Sequence, residues 1–312
     1  MSGSRVLACG HYQPTRVVTN AELAASVDTS DAWIRSRVGI ETRRVAAADE
    51  TVADMAAQAA ERALLAAGLT GADIDFVIVA TCTAWDRSPN TAARVAASIG
   101  AVSPAAIDLN TVCSGFPHAL AVADQAIRAG AARRALVIGS EKFTDFTDWS
   151  DRSTCVLTGD GAGAVVLEAA VRAEISPVLW GSFPELGDKI RIEAPANVLA
   201  QEGQAVYRWA TRTLPEFALR VCAMAGVRPE ELGGVVTHQA NLRIIEPLAQ
   251  KIGAVNAVVA RDIVESGNTS AASIPLALSK LVERREIDKG EPVLLFGFGG
   301  GLSYAGQIIR CP

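Results

Sequence analysis

Apolar residues fall along this chain in two rhythms. Short runs with almost no polar interruption, Ile74–Thr81 and Pro292–Phe298 among them, predict strands covered on both faces, as parallel strands are. Strands are also predicted over Val6–Cys9, Ala105–Leu109, Ala135–Ser140, Ala162–Ala169, Gly234–His238 and Ser303–Arg310. Longer, alanine- and leucine-rich segments lie between them and predict helices over Ala53–Ala67, Asn90–Gly100, Ser114–Gly130, Glu202–Gly226, Leu242–Ile252 and Ala271–Arg284. Gly68 is a natural stop for the first of these helices. Strands alternating with helices imply layered α/β architecture. The least patterned stretch is Ser176–Gln201, with Pro177, Gly181, Pro184, Gly187 and Pro195; it reads as a connecting loop region of the kind that shapes substrate sites.

The pattern is written twice. At an offset of 158 positions, Ala67-Gly68-Leu69 falls on Ala225-Gly226-Val227, and Val77-Ile78-Val79 falls on Val235-Val236-Thr237. Asn110-Thr111 falls on Asn268-Thr269, and Pro117, Ala119 and Leu120 fall on Pro275, Ala277 and Leu278. Val137-Ile138-Gly139 falls on Leu295-Phe296-Gly297. One offset held over roughly seventy residues predicts two copies of a layered unit and no solenoid of short repeats. The expected halves are residues 1–170 and 171–312.

Composition narrows the class. Half of the 312 residues are apolar and 20% are charged, which describes a globular chain with a large core. A net charge of -5 argues against general nucleic-acid binding, although Arg35, Arg37, Arg43 and Arg44 could form a local basic patch. No apolar run reaches the ~18 residues of a membrane span, and the start of the chain has no secretory pattern. The six cysteines have no metal spacing and read as reduced thiols, so a cytoplasmic location is expected.

Three residues carry candidate chemistry. Cys113, in Asn110-Thr111-Val112-Cys113-Ser114-Gly115-Phe116, follows a predicted strand and opens an apolar helix. A helix N-terminus can stabilise a thiolate and bind a developing oxyanion. His238 ends a predicted strand, where open α/β sheets bind ligands. Of the two other histidines, His11 sits in a turn-like setting, and His118 lies about 140° around the helix axis from Cys113. Asn268 suits helix capping, and the repeat makes its turn the counterpart of the Cys113 turn. Gly159-Asp160-Gly161-Ala162-Gly163 leads into a strand, which disfavours a phosphate loop. Gly297-Phe298-Gly299-Gly300-Gly301 allows close backbone approach to another group.

With Val27-Asp28-Thr29-Ser30-Asp31-Ala32-Trp33-Ile34, Arg37-Val38-Gly39-Ile40, Asp151-Arg152-Ser153-Thr154 and His238-Gln239-Ala240-Asn241-Leu242-Arg243, these motifs resemble the 3-oxoacyl-[acyl-carrier-protein] synthase III family of the thiolase superfamily, nearly end to end. The resemblance implies a thiolase-like five-layered α/β/α/β/α fold from two pseudo-symmetric halves. It implies an acyltransferase that condenses an acyl-CoA with malonyl-acyl-carrier protein, with Cys113, His238 and Asn268 catalytic and the backbone N–H groups of Cys113 and Gly300 holding the thioester oxygen. It implies CoA contacts from Thr29, Trp33, Arg37, Arg152, Gly203 and Gln204, with the adenine stacked between Trp33 and Arg152. Carrier-protein contacts fall on Gln239, Ala240, Asn241, Leu242, Arg243, Arg208 and Lys251. It implies no metal or redox cofactor, and a homodimer paired through the Cys113 half.

The chain departs from acetyl-selective members of that family. Ser88 and Thr158 stand where those carry large acyl-pocket aromatics, so a starter larger than acetyl is expected. The triad of Cys113, His238 and Asn268 also suits a natural-product paralogue that moves an acyl group to a carrier protein, alcohol or amine without condensation. A non-catalytic partner subunit fits less well, because Cys113 is retained with both helpers.

Overall fold

Five strands of the first repeat form one sheet, ordered 3–12, 160–170, 134–142, 76–80 and 105–109 in the computed structural model, which describes residues 3–312. Strands Phe76–Ala80, Ala105–Leu109 and Arg134–Lys142 run parallel, and Asp160–Ala170 and Gly3–Tyr12 close the sheet antiparallel. The second sheet is ordered 258–259, 234–237, 292–298, 303–310 and 179–182. Its strands Gly234–Thr237 and Pro292–Phe298 begin 158 positions after Phe76 and Arg134, their counterparts.

Side-chain alternation along these strands builds the layers. Val77, Val79, Leu136 and Ile138 face outward onto Met55, Ala59, Ala63 and Val95 of the helices Val52–Ala67 and Thr91–Ser98. Ile78 and Val137 face inward, where Phe116, Leu120, Ile274 and Leu278 separate them from Val236, Val293 and Leu295 of the second sheet. The outer face of that sheet, through Val235, Leu294 and Phe296, is covered by Leu214, Val221, Leu248 and Ile252 of the helices Gly203–Ala225 and Leu242–Ile252. The stack is α/β/α/β/α. Both faces of both sheets are buried, which is why the strands read as unbroken apolar runs.

The helix limits follow from capping. Thr51 accepts the Asp54 N–H while the Asp54 carboxylate accepts the Thr51 N–H, and Gly68 takes the left-handed conformation that ends the helix. The two central helices start later than the pattern predicts, at Gly115 and Ser273, because one 3-10 turn precedes each, at Val112–Ser114 and Ser270–Ala272.

Two expectations need correction. Ser176–Gln201 is not merely a connector: Leu179–Ser182 pairs with Ser303–Gly306 as the edge strand of the second sheet, and Ile190–Ile192 pairs with Leu199–Gln201. These strands are three or four residues long and half exposed, so they carry almost no apolar signal. Arg43 is not part of a basic patch. It is fully buried and donates to Asn20 Oδ1 and Val156 O, tying the ribbon of Arg16–Thr19 and Thr42–Val45 to the wall of the cavity described next.

Candidate active site

Two turns, one from each repeat, meet between the sheets. Asn110 Oδ1 accepts the Val112 N–H at 3.1 Å, and Asn268 Oδ1 accepts the Ser270 N–H at 2.9 Å. Val112 and Ser270 are both left-handed, with φ 49° and 46°, a conformation that costs a side-chain-bearing residue energy and that the asparagine acceptor helps hold. The approach of the turns depends on glycine. A Cβ on Gly139 would lie 2.3 Å from Ala271 O, and one on its repeat counterpart Gly297 would lie 3.0 Å from Ser114 Cα. Each half therefore opens a glycine gap for the other half's turn.

Cys113, His238 and Asn268 line one cavity of about 690 Å³, whose wall also includes Phe143, Val156, Leu157, Ile190, Leu199, Val206 and Phe298. Burial pushes the Cys113 thiol up to about 11; a hydrogen bond with the Ser270 side chain and the N–H groups of Gly300 and of Cys113 itself pull the other way. Desolvation is the largest of these effects, and it favours the neutral thiol. The backbone N–H groups of Gly300 and Cys113 hydrogen-bond the sulfur. A Cβ on Gly299 would lie 2.5 Å from Cys113 Cβ, and Ser303 Oγ bonds both Ser114 Oγ and Gly300 O at 2.8 Å, fixing the glycine turn against the cysteine turn.

His238 follows the strand Gly234–Thr237 and is 2% exposed. Its Nδ1 lies 2.8 Å from Ser273 Oγ, and the Phe298 ring meets it edge-to-face at 5.4 Å. Burial lowers it to about 3, so the ring is neutral. Asn268 is gripped on both sides, its N–H donating to Leu157 O at 2.8 Å and its carbonyl accepting the Gly159 N–H at 3.1 Å. With Oδ1 committed to Ser270, its amide N–H₂ is the group left for the cavity. His118 bonds Ser114 O and Thr111 Oγ1 and stacks on Trp180, serving the turn from outside.

The other expected residues divide. Trp33, Arg37, Gly203, Gln204, Arg208, Ala240, Asn241 and Arg243 line the same cavity. The Trp33 ring carries the Arg37 guanidinium at 5.8 Å and that of Arg152 at 5.3 Å, so Arg152 lies on the ring with no gap for a base between them. Arg152 is tied to Asp28 O at 2.7 Å, and beside it the Thr29 hydroxyl is buried with no hydrogen-bond partner among the described residues. Lys251 donates to Thr211 O at 2.7 Å on the helix that carries Arg208. Leu242 packs against the Asp31–Val38 helix and lies over Gly39.

Three further expected residues do not line this cavity. Gln239 is 1% exposed, donates to Thr237 O and accepts the Ile263 N–H, so it braces the loop. Ser88 is exposed and lines no part of its own chain's cavity. Thr158 is fully buried behind the wall, its hydroxyl paired with Thr147 at 2.7 Å, while its neighbour Leu157 faces the cavity. The sequence reading missed Ser270, Ser273 and the apolar wall. Ile190 and Leu199 come from the segment taken as a loop, whereas the serines sit within or beside the Asn268 motif, where hydroxyl spacing was the available signal. Among the described residues, no group of three or more His, Cys, Asp or Glu is placed to hold a metal ion, and no helix is long and apolar enough to cross a membrane.

Known proteins are similar to this chain in sequence and fold. Residues 107–183 match the family profile described as 3-Oxoacyl-[acyl-carrier-protein (ACP)] synthase III, and residues 222–311 match its C-terminal counterpart. The chain is 68% identical, over 100% of both chains, to beta-ketoacyl-[acyl-carrier-protein] synthase III 2 of Streptomyces avermitilis. It is 66% identical, over 99% of both, to beta-ketoacyl-[acyl-carrier-protein] synthase III 4 of Streptomyces coelicolor. Among solved structures, the priming beta-ketosynthase from the R1128 polyketide biosynthetic pathway matches with TM-score 0.95 and 39% identity, over 99% of this chain and 96% of that one. The 3-oxoacyl-[acyl-carrier-protein] synthase III of Aquifex aeolicus matches with TM-score 0.93 and 39% identity, over 99% and 100%. The chain therefore belongs to the 3-oxoacyl-[acyl-carrier-protein] synthase III family.

Proposed function

We propose that the protein condenses an acyl-CoA with malonyl-acyl-carrier protein and so starts fatty-acid or polyketide chains. The observation that carries this reading is one cavity lined by a buried thiol and two neutral side chains able to donate hydrogen bonds. Cys113 sulfur adds to the acyl-CoA carbonyl, the oxygen being held by the N–H groups of Cys113 and Gly300. The carbon–sulfur bond to CoA breaks, and the Cys113 proton leaves with the CoA thiol. Malonyl-carrier protein then enters. His238 and Asn268 donate to its thioester oxygen, so the bond to the carboxylate breaks, CO₂ leaves and the electron pair remains as an enolate. The enolate carbon attacks the acyl-Cys113 carbonyl, carbon–carbon bond formation expels the sulfur, and the product is 3-oxoacyl-carrier protein.

Trp33, Arg37 and Gln204 at the cavity mouth suit the nucleotide and pantetheine of CoA, Arg152 moving off the Trp33 face to admit the base. Arg208, Arg243 and Lys251 offer positive charge to an acidic carrier protein. The reading needs no metal or redox cofactor. The strand Ala105–Leu109 is the free edge of the first sheet with Ile107 39% exposed, which supports a homodimer joined through that edge. Residues 1–170 and 171–312 serve as the two halves; residues 1 and 2 of the first lie outside the described residues. The apolar wall favours a starter longer than acetyl, each added methylene contributing about 0.8 kcal/mol. Cytoplasmic residence fits the six free thiols.

Intact-mass measurement after mixing the protein with acyl-CoAs of two to eight carbons, then with malonyl-carrier protein, tests the reading. Expected are an acyl adduct on Cys113 that Cys113→Ala abolishes, release of CO₂ and a 3-oxoacyl product. Acyl transfer to the carrier without CO₂ would instead establish a starter-unit acyltransferase.

A further inference from the structure

The proposed reaction needs a proton on the cavity-facing nitrogen of a neutral imidazole, and neutral imidazole carries only one. We infer that Ser273 sets that tautomer: its hydroxyl donates to His238 Nδ1 and leaves the proton on Nε2. This rests on the condensing function proposed above. Ser273 is 1% exposed, and among the described residues its Oγ has two hydrogen-bond partners. The Gln239 backbone N–H, 3.3 Å away, can only donate to it. His238 Nδ1, 2.8 Å away, can play either part. A proton on Nδ1 would make Oγ accept twice and would leave the serine hydrogen buried with no acceptor, an arrangement folded proteins avoid. The consistent order runs from the Gln239 N–H to Ser273 Oγ, from the Ser273 hydrogen to Nδ1, and from Nε2–H into the cavity.

The repeat supplies an independent comparison. The positions 158 residues before His238 and Ser273 are Ala80 and Gly115. A Cβ on Gly115 would lie 3.0 Å from Ala80 Cβ, so the same two positions touch in the first half. Where the fold carries no imidazole it carries no hydroxyl either. Ser273 is therefore a positioning residue that acts through His238. It also assigns the ring to one task. A cavity-facing nitrogen that already holds a proton is a donor, and it is not the base that frees the Cys113 thiol.

Nitrogen-15 NMR of the whole protein labelled at histidine reads the tautomer directly, His238→Gln assigning the resonance among His11, His118 and His238. The expected spectrum at pH 7 shows His238 protonated at Nε2 and accepting at Nδ1. Ser273→Ala should lose that preference, and Ser273→Thr, which keeps the hydroxyl, should retain it. CO₂ release from malonyl-carrier protein should fall about tenfold in Ser273→Ala, the worth of one hydrogen bond, with acyl loading of Cys113 within about twofold of the parent. A wild-type His238 protonated at Nδ1, or a Ser273→Ala ring that keeps the Nε2 proton, overturns the inference. Should Ser273→Ala fail to fold, the wild-type spectrum and Ser273→Thr still decide. An Nε2-protonated His238 in a protein that releases no CO₂ would uphold the tautomer and overturn the condensing function instead.

Discussion

Asn268 Oδ1 accepts the Ser270 N–H at 2.9 Å, and that bond commits the rest of the carboxamide to the cavity. Asn268→Asp separates the two duties of the side chain. A carboxylate still accepts from Ser270 and keeps the turn, but it has no N–H for a thioester oxygen and adds negative charge beside a developing enolate. CO₂ release should fall at least about a hundredfold, the cost of losing one oxyanion donor. Loading of Cys113 from acyl-CoA, measured by intact mass, should persist. Equal loss of both activities would place Asn268 in the turn alone.

Gly299 is the point where backbone meets nucleophile. A methyl group there would fall 2.5 Å from Cys113 Cβ and 2.9 Å from Sγ, distances that force one turn to move. Gly299→Ala should cut acyl loading at least about a hundredfold, as misplacement of a reacting atom by about 1 Å does, while the thermal unfolding midpoint shifts by only a few degrees. Normal loading kinetics in this variant would mean that the glycine turn does not hold the sulfur.

The Cys113 thiol, raised to about 11 by burial, makes its chemistry depend on pH in a definite way. Below that value the thiolate fraction grows about tenfold per pH unit, so alkylation of Cys113 by iodoacetamide should run about a hundredfold faster at pH 9 than at pH 7. Peptide mass mapping separates Cys113 from the five other free thiols. A rate that levels off between pH 6 and 8 would reveal a preformed thiolate and return the helix N-terminus to the leading role.

What the sequence disclosed and what it hid have physical causes. The central strands announced themselves because both faces of each sheet are covered, so Val77 and Ile78 are both apolar although they face opposite layers. The 158-residue offset carried the site as well as the fold, since Asn110 and Asn268 make the same turn around Val112 and Ser270. The edge strands of the second sheet were invisible: Leu179–Ser182 is four residues, alternately exposed, among prolines and glycines. The resemblance groups Gln239 with carrier-protein contacts by motif alone, and a motif does not show that its hydrogen bonds to Thr237 and Ile263 lie inside. Local order places Cys113 at a helix start, whereas the Gly299 turn that packs against it lies far along the chain.

His238 links the site to the stability of the whole molecule. Folding lowers it from 6.5 to about 3, so between those values the unfolded chain binds a proton that the folded chain refuses. Stability from this residue is therefore fully present above pH 6.5 and is lost as pH falls toward 3, with a slope of at most about 1.4 kcal/mol per pH unit. His11 and His118 are lowered too and act in the same direction. Asp160, raised to about 6 by burial, acts in the opposite direction, so the wild-type curve alone is a mixture. The difference between wild type and His238→Gln isolates the ring. Urea unfolding at pH 7 and pH 5 should show the wild type losing more stability on acidification than the variant, by up to one proton's worth of slope. Parallel losses would mean that the folded protein accepts a proton on His238 as readily as the unfolded chain does, and an imidazolium would then face the substrate during decarboxylation.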